Sequence, residues 1–471
     1  MKYLYTRVIC ALLACGALFG CHKRSNIQPQ KEHPQALASS NVRTTASISQ
    51  QSMLAATLLN TQWRTYFELP QMSTDDMANT MIVELNKRTA NDIASLTNIN
   101  QQQLAAYALA YDLLRKAGIR SAQTLKEMSL PDIVNTLIVE NSLRLEEYSV
   151  PALQQMPVQK LVQLGYSWYL PQAHAPLLAK LANATQDPLF AAKDSANRGL
   201  DVLKIVATER NGMNGFKYLG TYHVHTNGDN FNLVLGASND LKNWVKVVQI
   251  DVNAHQGDIV KWGNGYLITY EEDKQQGANN IRLRYYDSYE ELVVNRFSFD
   301  KKLERQIGKN NVEGTPDIRA LSGTSPLNGS IALGFHYYDQ IQGVPVDKLA
   351  FGVLTNGSQW NSWQDAIANY NLREMDFRGN IGSRKSFQYQ GQTLTLQEAQ
   401  KAYNSWDTWN VMLGEGGFYT RVNIQTPLNA TSFANPSITH LSGNEYVITC
   451  FMPSEGNLPS ERGTLIYEVN L

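Results

Sequence analysis

The chain changes its hydrophobic rhythm twice. Between about Ser52 and Asn197 apolar residues recur at spacings of three and four with few glycines, which predicts amphipathic helices packed on one another. From about Val202 the rhythm becomes that of strands, with short alternating or wholly apolar runs punctuated by Gly, Asn and Asp. Five segments share one grammar: FKYLGTYHVH (216–225), QGDIVKWGNGYLITYEED (256–273), EGTPDIRAL (313–321), GNIGSRKSFQYQG (379–391) and FANPSITHLSGNEYVITCF (433–451). Each opens on a polar turn containing Gly, Pro or Asn, runs as a strand, turns, and resumes as an apolar strand. Spacings of roughly 35 to 65 residues suit small sheets repeated radially, a five-bladed β-propeller. The VLKIVATER run, Val202 to Arg210, is expected to complete the last blade beside TLIYEVNL and close the ring. The fold class is therefore multidomain α and β: an all-α helical tandem-repeat region over 52–197, then an all-β five-bladed propeller over 198–471.

The helical region contains a duplication. MSTDDMANTMIVELNKR (72–88) matches MSLPDIVNTLIVENSLR (128–144), and the likeness extends the two copies to about 72–111 and 128–168, pairing Ile93 with Val150 and Leu96 with Leu153. In each copy Ser73 or Ser129 is placed to cap a helix, with Asp76 or Asp132 at its third position, where a carboxylate also suits the dipole. Ile82, Val83, Ile138 and Val139 are expected to face the core, and Glu84 with Arg88, like Glu140 with Arg144, to pair on the surface. The motif could also recruit a protein partner. Tyr166, Trp168 and Tyr169 suit either a domain contact or an aromatic patch.

The amino terminus follows an export pattern. Lys2 and Arg7 precede an apolar run, Val8 to Phe19, that is too short to span a bilayer. Leu18-Phe19-Gly20-Cys21 resembles the bacterial lipobox, which implies lipidation at Cys21, with 1–21 as leader and the polar stretch 22–51 as a flexible tether. The expected location is the bacterial cell envelope, anchored by lipid at the outer membrane. Cys10 and Cys15 leave with the leader and Cys450 stands alone in VITCFM, so no disulfide framework is expected and Cys450 reads as a small buried hydrophobe. The formal charge is -1 and no long basic block occurs, which argues against nucleic acid as a partner.

Three motifs carry a resemblance. SNDLKNW (238–244) looks like the S-x-D-L-x-x-W element of the five-bladed propeller glycoside hydrolases, the superfamily of arabinanases, β-xylosidases, invertases and levansucrases. QGDIVKWGNGYLITYEE is similar to the second blade of family 43, and EGTPDI resembles the opening of the third. The resemblance covers the propeller and not the helices. It implies a glycan or oligosaccharide as partner, Glu313 as general acid and Asp258 as the carboxylate that tunes it. In the family an Asp opens the first inner strand. The first blade as read, Gly220 to His225, has no carboxylate before Asp229, which leaves His223 or His225 as a substitute base, or a propeller that binds without cleaving.

Further mouth positions follow from the same arrangement. Arg384 and Asn435 open blades four and five and are expected to hydrogen-bond a ligand, Asp317 is an alternative acid, and Trp262, Tyr337 and Tyr338 could stack on sugar or lie in the core. Glu398 reads as solvated, on a short helix or an outer strand. His255, His336 and His440 lack zinc spacing, and no Walker loop, dinucleotide fingerprint or GxSxG occurs, so no metal site or cofactor is expected. An axial cation such as calcium stays open.

Overall fold

The computed structural model describes residues 49–91, 99–226, 230–275, 278–308, 312–341 and 344–471. The leader with Cys21, nearly all of the tether, the repeat positions Ile93 and Leu96, and Asp229 lie outside the described residues.

Among the described residues eight α-helices come first: α1 (Gln50–Asn60), α2 (Thr74–Arg88), α3 (Gln101–Lys116), α4 (Ala122–Lys126), α5 (Leu130–Arg144), α6 (Val150–Gln154), α7 (Val158–Ala173) and α8 (Ala175–Leu181). The Ser73 and Ser129 hydroxyls each accept from the amide three residues on, and Asp76 and Asp132 return the bond, so both expected capping boxes form. Glu84 pairs with Arg88, and Arg144 Nε lies 3.3 Å from Glu140. Half of the core-facing assignment needs correction: Ile138 is buried and Ile82 packs against the core, but Val83 and Val139 do not face it. Met77, Met81 and Leu85 are buried in α2, whereas Val83 is 48% and Val139 49% exposed. At 100° per residue a position two beyond Met81 has swung well away from the face that Met81 and Leu85 share. Tyr166 stacks on Phe418 at 3.7 Å between ring centroids, so this aromatic group is a contact with the propeller.

The strands form five antiparallel sheets among the described residues. The first holds β1 (Asp201–Ala207), β2 (Tyr218–His225), β3 (Phe231–Ser238) and β4 (Trp244–Val252). The second holds β5 (Ala254–Trp262), β6 (Gly265–Gln275), β7 (Ala278–Tyr286) and, after α9 (Tyr289–Val293), β8 (Phe299–Lys302). The third is β9 (Glu313–Ser322), β10 (Ser330–Ile341), β11 (Val344–Thr355) and β12 (Gln359–Gln364). After α10 (Ala366–Glu374), the fourth is β13 (Arg384–Tyr389), β14 (Gln392–Gln400), β15 (Trp409–Glu415) and β16 (Phe418–Val422). The fifth has three named strands, β17 (Ala434–Ser442), β18 (Glu445–Met452) and β19 (Gly463–Asn470). The first strand of each sheet packs against the first strands of its two neighbours, β1 on β5, β5 on β9, β9 on β13, β13 on β17 and β17 on β1, which makes the ring of a five-bladed propeller.

Two expectations about the ring change. The inner strand of blade one is β1, not the 216–225 segment, which is its neighbour β2. Closure comes one segment earlier than the VLKIVATER run: Leu189 and Ile466 exchange backbone hydrogen bonds at 2.9 Å, and the Ala192 amide donates to Thr464 O at 3.0 Å. Chain from before the first blade thus supplies the outer edge of the last, joining the two ends of the propeller sequence. In SNDLKNW, Asp240 accepts from the Lys242 and Asn243 amides at 3.0 and 2.8 Å, and Trp244 donates to Leu241 O, so the motif is a turn that anchors the buried indole. Cys450 is buried, as expected.

The helices before α8 pack on blades three and four, sharing a core with Phe351, Trp363, Ile367 and Phe418, while α8 packs on blades four and five. At this seam Glu415 accepts from Lys116 Nζ at 3.0 Å and lies 2.9 Å from His174 Nε2. Glu415→Gln is expected to lower the unfolding free energy by about 1.5–3 kcal/mol, the range for a hydrogen bond to a charged group. Urea denaturation measures it, and an unchanged midpoint would show the seam to be held by its apolar contacts alone.

Candidate functional site

The openings of four of the five inner strands are distorted in the same way. Val202, Gln256, Thr315 and Asn435 have φ of 56°, 53°, 45° and 48°, and the ladder slips beside each of them. Positive φ is costly for a β-branched residue, and Val202 and Thr315 are β-branched, so this strain is held in place by the surrounding ring. Such bulges re-aim side chains at the end of the strand. The side chains so gathered form two layers.

The deeper layer is a closed ionic plug. Lys385 Nζ donates to both oxygens of Asp258 at 2.6 and 2.7 Å, and Asp258 also accepts from the Ile318 amide at 2.8 Å. Arg384 Nε donates to Asp317 at 3.0 Å and its NH1 to Asp365 at 3.2 Å, and Arg384 and Asp317 are both fully buried. Burial works against ionisation of Asp317, but Arg319 and Arg384 hold its carboxyl below the ordinary range. Arg384 and Asp317 are therefore engaged with each other and with Asp365, and Asp258 with Lys385.

The outer layer lies at the mouth, on the second strands as much as the first. His223 of β2 stands opposite Asp201, Glu271 of β6 opposite His255, and His336 of β10 opposite Gly314, while the Glu398 amide of β14 bonds Ser383 O at 2.9 Å. Four blades thus put a titratable side chain at one equivalent position. The His223 and His255 rings lie 5.9 Å apart, His255 Nε2 is 3.7 Å from Glu271, and Glu271 accepts from the Thr315 amide at 2.9 Å. A Cβ on Gly314 would fall 2.1 Å from Glu271 Oε2, so that glycine is required for space. Glu398 accepts from the Ser383 amide at 2.6 Å and, across the blade boundary, from the Asn435 amide at 2.7 Å.

Protonation is pushed in opposite directions around this mouth. Burial raises Asp201 to about 6, with His225 opposing, and raises Glu398 to about 7 against its two amide donors and Lys204. Burial, then Glu398 and Glu271, holds Asp347 well above the ordinary range. Glu271 goes the other way. Its burial is outweighed by His255, His336, Asn279 and the Thr315 amide, which keep it below the usual value. His223 is pushed well down by burial, then by His255 and His225, and its Nδ1 accepts from the Gln256 amide at 3.4 Å.

A consequence for stability follows. Glu398 is raised from 4.5 to about 7, so the stabilisation it contributes is present below its unfolded value and is lost as pH rises through about 7. Asp201 acts in the same sense through about 6. Thermal midpoints are expected to fall from about pH 5 to about pH 8, and to fall less in Glu398→Gln. Equal slopes in the two proteins would show that Glu398 titrates normally.

The residues singled out in the sequence divide accordingly. Glu313 is buried, and its Oε1 accepts from the amides of Gln306, Ile307 and Gly308 at 2.9, 2.7 and 2.9 Å, clamping the chain ahead of β9. Burial still raises its carboxyl, those amides opposing. Trp262 donates to Gly323 O at 3.0 Å and packs with Tyr337 in one core cluster, so neither presents a ring face to ligand. His223, His225 and Asn435 are at the mouth. Glu398, read as solvated, is 5% exposed on the second strand of blade four.

Asp201, His255, Glu271, His336 and Asp347 were not singled out as site residues. For Asp201 a signal existed: Arg198-Gly199 before an apolar run repeats the opening grammar of the other inner strands. The second-strand residues end apolar runs without any turn motif to mark them. Among the described residues, no group of three or more His, Cys, Asp or Glu is placed to hold a metal ion.

No family model and no curated protein matches the sequence. Solved structures do resemble the fold. One described as a glycoside hydrolase is 10% identical, covering 63% of this chain and 94% of its own with a TM-score of 0.46. A thermostable family-43 glycoside hydrolase is 10% identical, covering 59% and 92% with a TM-score of 0.40. An exo-1,5-α-L-arabinanase from a bovine ruminal metagenomic library is 10% identical, covering 57% and 92% with a TM-score of 0.40. These likenesses concern the arrangement of strands, and what the mouth does rests on its own residues.

Proposed function

We propose that the propeller mouth binds a glycan and hydrolyses a glycosidic bond, with Asp201 as the carboxylate that accepts a proton from water. The observation that carries this reading is the gathering of titratable side chains at the openings of neighbouring blades, Asp201 opposite His223, the His223 and His255 rings 5.9 Å apart and His255 3.7 Å from Glu271, in surroundings that push Asp201 up to about 6 and Glu398 up to about 7 while holding Glu271 down. Glycosidic cleavage needs one carboxyl protonated and another ionised at the same pH, and environments that push such groups apart supply that. Asp201 opens the inner strand of blade one, where the resemblance to the propeller hydrolases implies an Asp. Lipidation at Cys21 would hold this mouth at the cell envelope, and Cys21→Ser is expected to release the protein from the membrane fraction.

Incubation with a broad panel of plant and host polysaccharides tests the reading. Release of reducing ends from at least one is expected. Binding without release from any would favour a second reading, a glycan-binding propeller that has lost hydrolysis. That reading draws support from the engagement of Asp258 by Lys385 and of Glu313 by three backbone amides.

A further inference from the structure

Blades three and four converge on one glycine. A Cβ added to Gly382 would meet His336 Nδ1 at 3.0 Å, Asp347 Oδ2 at 3.1 Å and Glu398 Oε1 at 3.5 Å, so three titratable side chains from β10, β11 and β14 lean over a bare stretch of backbone. Asp347 Oδ1 accepts no hydrogen bond among the described residues and lies 3.7 Å from His336 Nε2. The Ser383 hydroxyl beside it is fully buried and also without a partner among the described residues. Asp347 Oδ2 and Glu398 Oε1 lie 3.1 and 3.5 Å from one point over Gly382, hence no more than about 6.6 Å apart, and two carboxyls at that range cannot both ionise cheaply, because like charges in a low-dielectric site repel strongly. An unpartnered oxygen and an unpartnered hydroxyl beside them leave hydrogen-bonding capacity that a ligand's oxygens could take up.

We propose that Asp347 and Glu398 share a proton above Gly382 and that this pair, rather than Glu313, protonates the leaving oxygen in the reaction begun at Asp201. The inference rests on the hydrolytic reading above. In the step, water attacks the anomeric carbon and gives a proton to Asp201 as the bond to the glycosidic oxygen breaks. The leaving oxygen takes a proton from the pair, and the proton held by Asp201 returns through solvent, so one water is consumed and two hydroxyls are formed. The groups facing the pair are Lys204 and Cys450 toward Glu398, Glu271 and Tyr403 toward Asp347, and His336 toward both. Lys204 favours loss of the proton and Glu271 favours its retention. Glu313 is instead committed to its own chain, its Oε1 accepting from the amides of Gln306, Ile307 and Gly308.

Leaving-group dependence tests the assignment. Glu398→Gln and Asp347→Asn are each expected to slow cleavage of the natural glycan by about 10²–10⁴-fold, and to slow a dinitrophenyl glycoside of the same sugar far less, because that leaving group needs no proton. Asp201→Asn should slow both substrates alike. Equal losses on both substrates in the Glu398 and Asp347 variants, or selective rescue in Glu313→Gln instead, would overturn the assignment. Carbon-detected NMR titration of the carboxyls reads the pair without turnover: an Asp347 midpoint well above the ordinary carboxyl range that drops in Glu398→Gln supports the shared proton, and an unmoved midpoint refutes it. If the wild type cleaves nothing while this coupling is present, the hydrolytic reading fails and the pair stands only as a shared-proton site.

Discussion

Asp201→Asn is expected to reduce the turnover of any glycan the protein cleaves by about 10²–10⁴-fold, with KM little changed. The side chain is half-buried at the start of β1, ahead of the strained Val202, and its register partner is His223. Asparagine keeps the shape and loses the ability to accept a proton from water. The loss should therefore fall on kcat. Stability separates this from misfolding: burial raises Asp201 to about 6, so its ionised form is disfavoured in the folded state at neutral pH. The neutral variant should be at least as stable as the wild type at pH near 7, and a large drop in thermal midpoint would mean that Asp201 holds the ring together instead.

Lys385→Met is expected to cost about 3–5 kcal/mol of unfolding free energy, because it strands a buried carboxylate. Asp258 is fully buried and both its oxygens accept from Lys385 Nζ. The Ile259 and Ile318 amides, at 3.0 and 2.8 Å, cannot replace that charge. The double variant Lys385→Met, Asp258→Leu should recover most of the loss, since removing both members of a buried pair is often close to neutral. Urea denaturation of the two single variants and the double variant gives the coupling directly. A single variant as stable as the wild type would show that nearby Lys204 already neutralises Asp258. Either way the pair ties blade two to blade four across the ring.

The architecture was legible because strand pairs advertise themselves. Four of the five inner strands open on Gly, Pro or Asn turns, and the structure places β5, β9, β13 and β17 on those segments. Blade one was misread because VLKIVATER is an apolar run equally suited to an inner or an outer strand, the Arg198-Gly199 turn ahead of it is brief, and the better-marked β2 took its place. That one shift hid Asp201. Asp258 and Glu313 were found by motif, yet a motif does not reveal that Lys385, 127 residues away, neutralises the first or that three amides clamp the second. Glu271 was missed, and Glu398 read as solvated, for a different reason. They occupy strand ends inside apolar runs, and only the register of β6 and β14 shows that they meet at the mouth. In α2 and α5 the caps were readable from local spacing, while the orientation of Val83 and Val139 depended on where the neighbouring helices lie.

The pH dependence of kcat/KM on a cleaved glycan tests the acid–base mouth most directly. A narrow bell is predicted, rising through about 6 as Asp201 ionises and falling through about 7 as Glu398 gives up its proton. A profile that stays flat from about pH 5 to about pH 8 would contradict it.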